Sequence, residues 1–151
     1  MRDAVAFSVK HVESGGLPFV GLVVDDHDYV SEYGVNQVRE TGDPTAHAEI
    51  VAIRATLRQR GLTSLKGMSL LATGEPCGLC YHFAIQHRIE RIYVAVDSDT
   101  VAELGFDYRN SYLAFGADRA RLADIVTPLP VRNGLEPLER YLRVNQQHIL
   151  P

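Results

Sequence analysis

The chain has 151 residues, 46% of them hydrophobic and 23% charged, with a formal net charge of −4 and a pI near 5.8. That length and composition suit one globular domain with a proper core, and scattered Lys and Arg argue against a surface built to grip a nucleic-acid backbone, whose mark is a basic stripe. Apolar runs such as PFVGLVV and IYVAV are strand-sized, well short of the roughly 18 to 20 residues of a membrane span, and the N-terminus has no apolar signal core, which makes the cytoplasm the expected compartment.

Residues 3–13 place Ala4, Val5, Phe7, Val9 and Val12 at roughly helical spacing, closed by Gly15 and Gly16. FVGLVVDD and DYVSEYGV read as the two strands of a hairpin turning at Asp26 and His27. A polar loop over residues 37–43 leads into a helix over residues 46–59, with Ile50, Ile53 and Leu57 on one face and Gly61 as its stop. MSLLATG reads as a short buried strand, CGLCYHFAIQH as a helix, RIYVAV as another strand and residues 101–104 as a short helix. ADIVTPLP makes a last short strand, and GLEPLERYLRVN a final amphipathic helix before the tail QQHILP. Strands alternating with helices predict a single α/β domain over residues 1–151, one mixed sheet with the hairpin at one side and helices on both faces.

The only two cysteines, Cys77 and Cys80, stand in GEPCGLC, and some thirty residues earlier DPTAHAEIVAIR sets His47 two residues before Glu49 at a helix start. In a chain without an export signal, this cysteine spacing points to metal ligands or a redox pair rather than a structural disulfide. Cys-x-x-Cys at a helix start aims both sulfurs at one spot, where the helix amides lower the thiol pKa. A thioredoxin-type redox pair shares that spacing but needs no His-x-Glu upstream, and a structural zinc site normally wants four protein ligands. Three ligands, His47, Cys77 and Cys80, with an open fourth position are the mark of catalytic zinc. Glu49 is then expected beside that position as a proton carrier, taking a proton from water and passing it to a leaving amine. One imidazole and two thiolates leave the Zn2+ site with a net charge near zero, so its pull on water is modest and the carboxylate must assist.

His-x-Glu followed at this distance by Pro-Cys-x-x-Cys resembles the signature of zinc deaminases that act on nucleobases. DPTAHAEIVAIR and EPCGLC resemble the cytidine-deaminase superfamily, in the branch holding bacterial guanine deaminases and tRNA adenosine deaminases, and the likeness runs from GGLPF to the last helix. It implies a three-layer α/β/α sandwich with a five-stranded mixed sheet, zinc on His47, Cys77 and Cys80, and Glu49 as proton shuttle. It also implies a homodimer, with C-terminal segments lent to a neighbouring subunit. By the same likeness Phe19 of LPF walls the base pocket, Asn36 of GVN grips the base edge, and the Ala48 N–H meets a ring carbonyl or nitrogen. AELGFD (residues 102–107) resembles the guanine-deaminase branch, in which this segment, here Phe106 and Asp107, helps close the pocket.

The chain departs from that branch in two places. Guanine deaminases typically carry two acids after Gly-Phe, whereas Tyr108 stands here in place of the second, and Gln86 occupies a position where they tend to have Trp. An altered pocket around an intact zinc centre implies hydrolytic deamination of a free amino-heterocycle: a guanine-like purine, or a pyrimidine or triazine ring. Plainer roles exist for several of these residues: Asn36 as a loop cap, Phe19 as core, Asp107 as a helix cap, Tyr108 as packing. His82, one turn after Cys77, belongs at the surface or an interface, because a fourth side chain on the metal would end catalysis. His11, His27 and His87 are expected at the surface; the apolar HILP can fold over a pocket, with a lid contact by His148 the less favoured reading. A tRNA adenosine deaminase would share the zinc motifs but needs a basic surface, a deaminase–reductase needs a second domain, and a non-catalytic zinc protein leaves Glu49 without a role. The expected partners are a small heterocycle and water, not a membrane or nucleic acid.

Overall fold

Alternation of apolar side chains along the strands sets up the layers. A computed structural model describes residues 1–146. In chain order the first half holds α1 (Arg2–Glu13), β1 (Val20–Asp25), β2 (Gly34–Val35), α2 (Val38–Thr41), α3 (Ala48–Arg60) and β3 (Met68–Gly74). The second half holds α4 (Gly78–Gln86), β4 (Arg91–Val96), α5 (Ser98–Glu103), α6 (Asn110–Ala114), α7 (Arg119–Leu122), β5 (Val126–Pro128) and α8 (Glu136–Gln146). In β1, Val20 and Leu22 pack with Ala4 and Phe7 of α1, whereas Val23 packs on the opposite side with Ala52 and Ile53 of α3. In β3, Leu70 joins the α3 side and Leu71 the α1 side. Successive strand residues face opposite ways, so strands with apolar residues on both faces must be covered on both sides.

The sheet runs β2-β1-β3-β4-β5. β1 is antiparallel to β2 and β3, while β3, β4 and β5 are parallel. This is the five-stranded mixed sheet that the family likeness implied. α1 and α8 cover one face, joined by an Arg140–Glu13 ion pair, with Leu138 of α8 packed on Val96 and Val101. α3 and α4 cover the other, where Tyr81 and Ala84 of α4 complete the larger core. Among the described residues no helix is long and apolar enough to cross a membrane.

Gly34 shows how tightly α3 lies on the sheet. A Cβ at this position would collide with the Ala48 carbonyl oxygen and with Ala52. Gly34→Ala is therefore expected to push away the helix start that carries Glu49. Overpacking of this kind costs about 1–3 kcal/mol, and thermal denaturation should show it as a lowered midpoint.

Two expectations are corrected. The second hairpin strand pairs only at Gly34–Val35, plus a lone Val24–Val30 bridge. Ser31 interrupts the ladder, because its hydroxyl accepts the Val23 N–H at 2.9 Å and its own N–H donates to the Val23 carbonyl at 2.8 Å. The short helices α2, α6 and α7 were not predicted; at four or five residues they are too brief for a periodic signal.

Candidate active site

Two helix starts converge on one spot. α3 begins against Gly21 and Gly34 of the sheet, and α4 begins just past the end of β3. His47 and Cys77 hold the cap positions of these helices in extended conformation (φ −71°, ψ 157° and φ −71°, ψ 174°), and neither side chain caps its helix. Both are thus free to turn toward a common point.

The loop ahead of α3 is clasped by Asp43, which accepts from Thr45 N (2.9 Å), Thr45 Oγ1 (2.6 Å) and Arg54 Nη1 (2.8 Å). The Thr45 hydroxyl and N–H, then Arg54, hold the Asp43 carboxyl down at about 2. A carboxyl depressed below its unfolded value of about 3.9 stabilises the fold above that pH and loses its contribution as pH falls toward 2. Asp43→Asn should accordingly unfold at a lower temperature than wild type at neutral pH, with the gap closing between about pH 4 and pH 2, as thermal scans across pH would show.

His47 Nδ1 lies 3.5 Å from Cys77 Sγ and 3.4 Å from Cys80 Sγ, and the two sulfurs are 3.7 Å apart. Tetrahedral zinc, with bonds of about 2.3 Å to sulfur and about 2.05 Å to nitrogen, requires S···S near about 3.8 Å and S···N near about 3.5 Å. The donor set therefore fits the ion in both chemistry and spacing. Both cysteines are free of disulfides, and the three ligand atoms form a metal-competent group.

Charge in the cluster is divided unevenly. A hydrogen bond with the Cys80 thiol, helped by His47, pulls Cys77 down to about 4, whereas Cys80 is pushed up by its bond to Cys77 and by burial. His47 is raised, chiefly by its bond to Cys77. Glu49 is 6% exposed, with Oε2 3.3 Å from Cys80 Sγ. Burial, and then the negative Cys77, push its carboxyl up to about 7. A buried carboxylate beside the metal group is placed to take a proton from water and pass it on, as a shuttle must.

These side chains open on a cavity of about 150 Å³, also lined by Leu17, Phe19, Asn36, Ala48, Glu75 and Tyr108. The Asn36 Oδ1 accepts the Val38 N–H at 3.1 Å. Since an N–H needs an oxygen opposite it, this bond fixes the amide orientation and leaves the Asn36 NH2 as the free end. Asn36 is thus a loop cap and a cleft residue at once. Phe19 is both wall and core, with Phe106 edge-on behind it at 5.4 Å between ring centroids and itself packed on Tyr141. Tyr108 donates its hydroxyl hydrogen to the Glu75 carbonyl, and burial pushes its phenol up.

Asp107 is not brought to the cleft: its exposed carboxylate pairs with Arg109 at 2.8 Å, which holds it at about 2. His82 and Gln86 are exposed on α4, and His27 is exposed in the hairpin turn. His11 corrects the expectation of a surface residue. Its half-buried ring stacks on Phe7 and fits against Gly16, where any Cβ would collide with it, and its Nε2 has no partner among the described residues. His87 is half-buried, 4.6 Å from the Phe83 ring. His148, with the segment proposed for subunit exchange, lies outside the described residues.

Sequence reasoning missed Leu17 and Glu75. The Glu75 carboxylate accepts from Tyr112 Oη (3.1 Å) and Ser98 N (3.4 Å), with Arg119 3.8 Å away. Its position directly before Pro76 and Cys77 was the available signal.

Residues 1–96 match the cytidine and deoxycytidylate deaminase zinc-binding region. The chain is 34% identical to guanine deaminase of Bacillus subtilis over 108 residues, 71% of this chain and 69% of that protein. It is 37% identical to the tRNA-specific adenosine deaminase of Aquifex aeolicus over 98 residues, 64% of each. The crystal structure of the Bacillus subtilis guanine deaminase superposes with a TM-score of 0.69 at 27% identity, over 94% of this chain and 90% of that one. Likeness to these relatives, at similar identity, does not separate their substrates. It does settle the family: with that zinc-binding region on that fold, the chain belongs to the cytidine and deoxycytidylate deaminases and is a zinc-dependent hydrolytic deaminase.

Proposed function

We propose that this deaminase releases ammonia from a free amino-substituted heterocycle, a guanine-like purine or a pyrimidine or triazine ring. The observation that carries the reading is a buried carboxylate, Glu49, 3.3 Å from a sulfur of the metal-competent group and opening on a cavity of about 150 Å³. Bound zinc supplies the Lewis acidity that makes water nucleophilic near neutral pH. Glu49 takes a proton from the attacking water and delivers protons to the ring nitrogen and then to the departing amine. The ring loses NH3 and gains the water oxygen. The Asn36 NH2 and the Ala48 N–H, at the start of α3, donate to ring acceptors. Phe19, backed by Phe106, and Tyr108 hold the ring between apolar surfaces. The enzyme works in the cytoplasm, where its thiols stay reduced, as a homodimer.

A second reading, deamination of adenosine in tRNA, is favoured by the likeness to the Aquifex aeolicus enzyme. The net charge of −4 weighs against it. Ammonia release from a panel of aminopurines, aminopyrimidines and aminotriazines, run beside inosine formation in a tRNA transcript, tests both. At least one free ring should release ammonia while the tRNA stays unchanged. Inosine in the tRNA with no ammonia from any free ring would reverse the assignment.

A further inference from the structure

Among the side chains lining the cleft, the Tyr108 hydroxyl is a neutral acceptor with lone pairs to spare. A phenol carries one hydrogen and two lone pairs, and the Tyr108 hydrogen already goes to the Glu75 carbonyl. Toward a bound ring, the Tyr108 oxygen is left to accept. The other lining groups have different duties. His47, Cys77 and Cys80 are the metal donors, and Glu49 moves protons. Asn36 has its amide oxygen on Val38, and Glu75, whose Oε2 is engaged by Tyr112, Ser98 and Arg119, presents a charged carboxylate rather than a neutral acceptor. Leu17 and Phe19 are apolar.

Tyr108 is also held rigidly with respect to the metal ligands. Its ring stands edge-on to Phe19 and Tyr112, with centroids at 6.4 and 6.5 Å. The Ser111 hydroxyl donates to the Tyr108 carbonyl at 2.6 Å and accepts the Gly78 N–H at 2.8 Å. The residue is therefore tied to both Glu75 and Gly78, which bracket Pro76 and Cys77.

We propose that Tyr108 selects the substrate by accepting a hydrogen bond from a second N–H on the ring, so that the enzyme prefers diamino or amino-oxo heterocycles over rings whose only N–H donor is the amino group that leaves. This rests on the free-heterocycle reading above. One neutral hydrogen bond corresponds to about a 3- to 10-fold preference.

The test is a cycle of protein against substrate. The zinc-loaded full chain and its Tyr108→Phe variant are each assayed for ammonia release from 9-methyl-2,6-diaminopurine and from 9-methyladenine, in which no ring N–H remains. 2,4-Diamino-1,3,5-triazine and 2-amino-1,3,5-triazine form the monocyclic pair. Wild type should prefer the diamino member in kcat/KM, and the variant, with equal zinc content, should lose about 3- to 10-fold of that preference, mainly through KM. Should the variant fail to fold, 9-methyl-2-dimethylamino-6-aminopurine makes the same test on wild type: it keeps the second nitrogen without its hydrogens and should be turned over no better than 9-methyladenine. An unchanged preference in the variant, no preference in wild type, or full turnover of the dimethylamino compound overturns the role of Tyr108 alone. Absence of ammonia from every heterocycle overturns the free-heterocycle reading and this inference with it.

Discussion

Glu49→Gln and Glu49→Ala are expected to retain zinc and to lose deamination by about 10²–10⁴-fold or more, the usual cost of removing a general acid–base. The carboxylate lies beside the metal group without belonging to the three ligands, so its loss leaves the imidazole and both sulfurs in place. Glutamine keeps the shape of this buried side chain and removes only its capacity to carry a proton, which separates chemistry from packing. Alanine adds a small cavity in a residue that is 6% exposed and should lower thermal stability as well. Zinc content by elemental analysis and turnover by ammonia release are the paired measurements. Near-normal turnover in a zinc-loaded Glu49→Gln protein would remove the shuttle from the mechanism.

Stripping the metal, or replacing any one of His47, Cys77 and Cys80 by alanine, is expected to abolish turnover. Two ligands come from the α4 start and one from the α3 start, so the ion also cross-links two elements 30 or more residues apart in sequence. An ion that binds only the folded state stabilises it by about 4 kcal/mol at a thousand times its Kd. Chelated protein should therefore melt several degrees lower, and added zinc should restore both stability and activity. The ligand variants should melt low and gain nothing from zinc. His82→Ala is the matched control: that histidine is exposed on α4 one turn beyond Cys77, and its loss should change neither zinc content nor rate. A drop in zinc content in His82→Ala would mean that the ligand set is wrong.

Local pattern carried much of the fold because it is a local property. Strands such as MSLLATG, with apolar residues on both faces (Leu70 and Leu71), lie between two layers, and Gly61, in the left-handed conformation at φ 62°, ends α3 where its position announced a stop. The donor chemistry was equally readable, since two cysteines in one turn and a His-x-Glu at a helix start have few other uses. What stayed hidden depends on which particular atoms meet, across the fold or within one loop. The bond from Tyr108 to the Glu75 carbonyl spans 33 residues, and the Val38 N–H turns the Asn36 amide only once the loop has closed. His11 is drawn inward because Gly16 leaves room for its ring, and Asp107 stays outside because Arg109 is near enough to hold it. Residue type and spacing determine backbone preference, periodicity and the inventory of donors. Which atom meets which is settled only when loops close and layers pack in three dimensions, where one methyl group or one lone pair decides the contact.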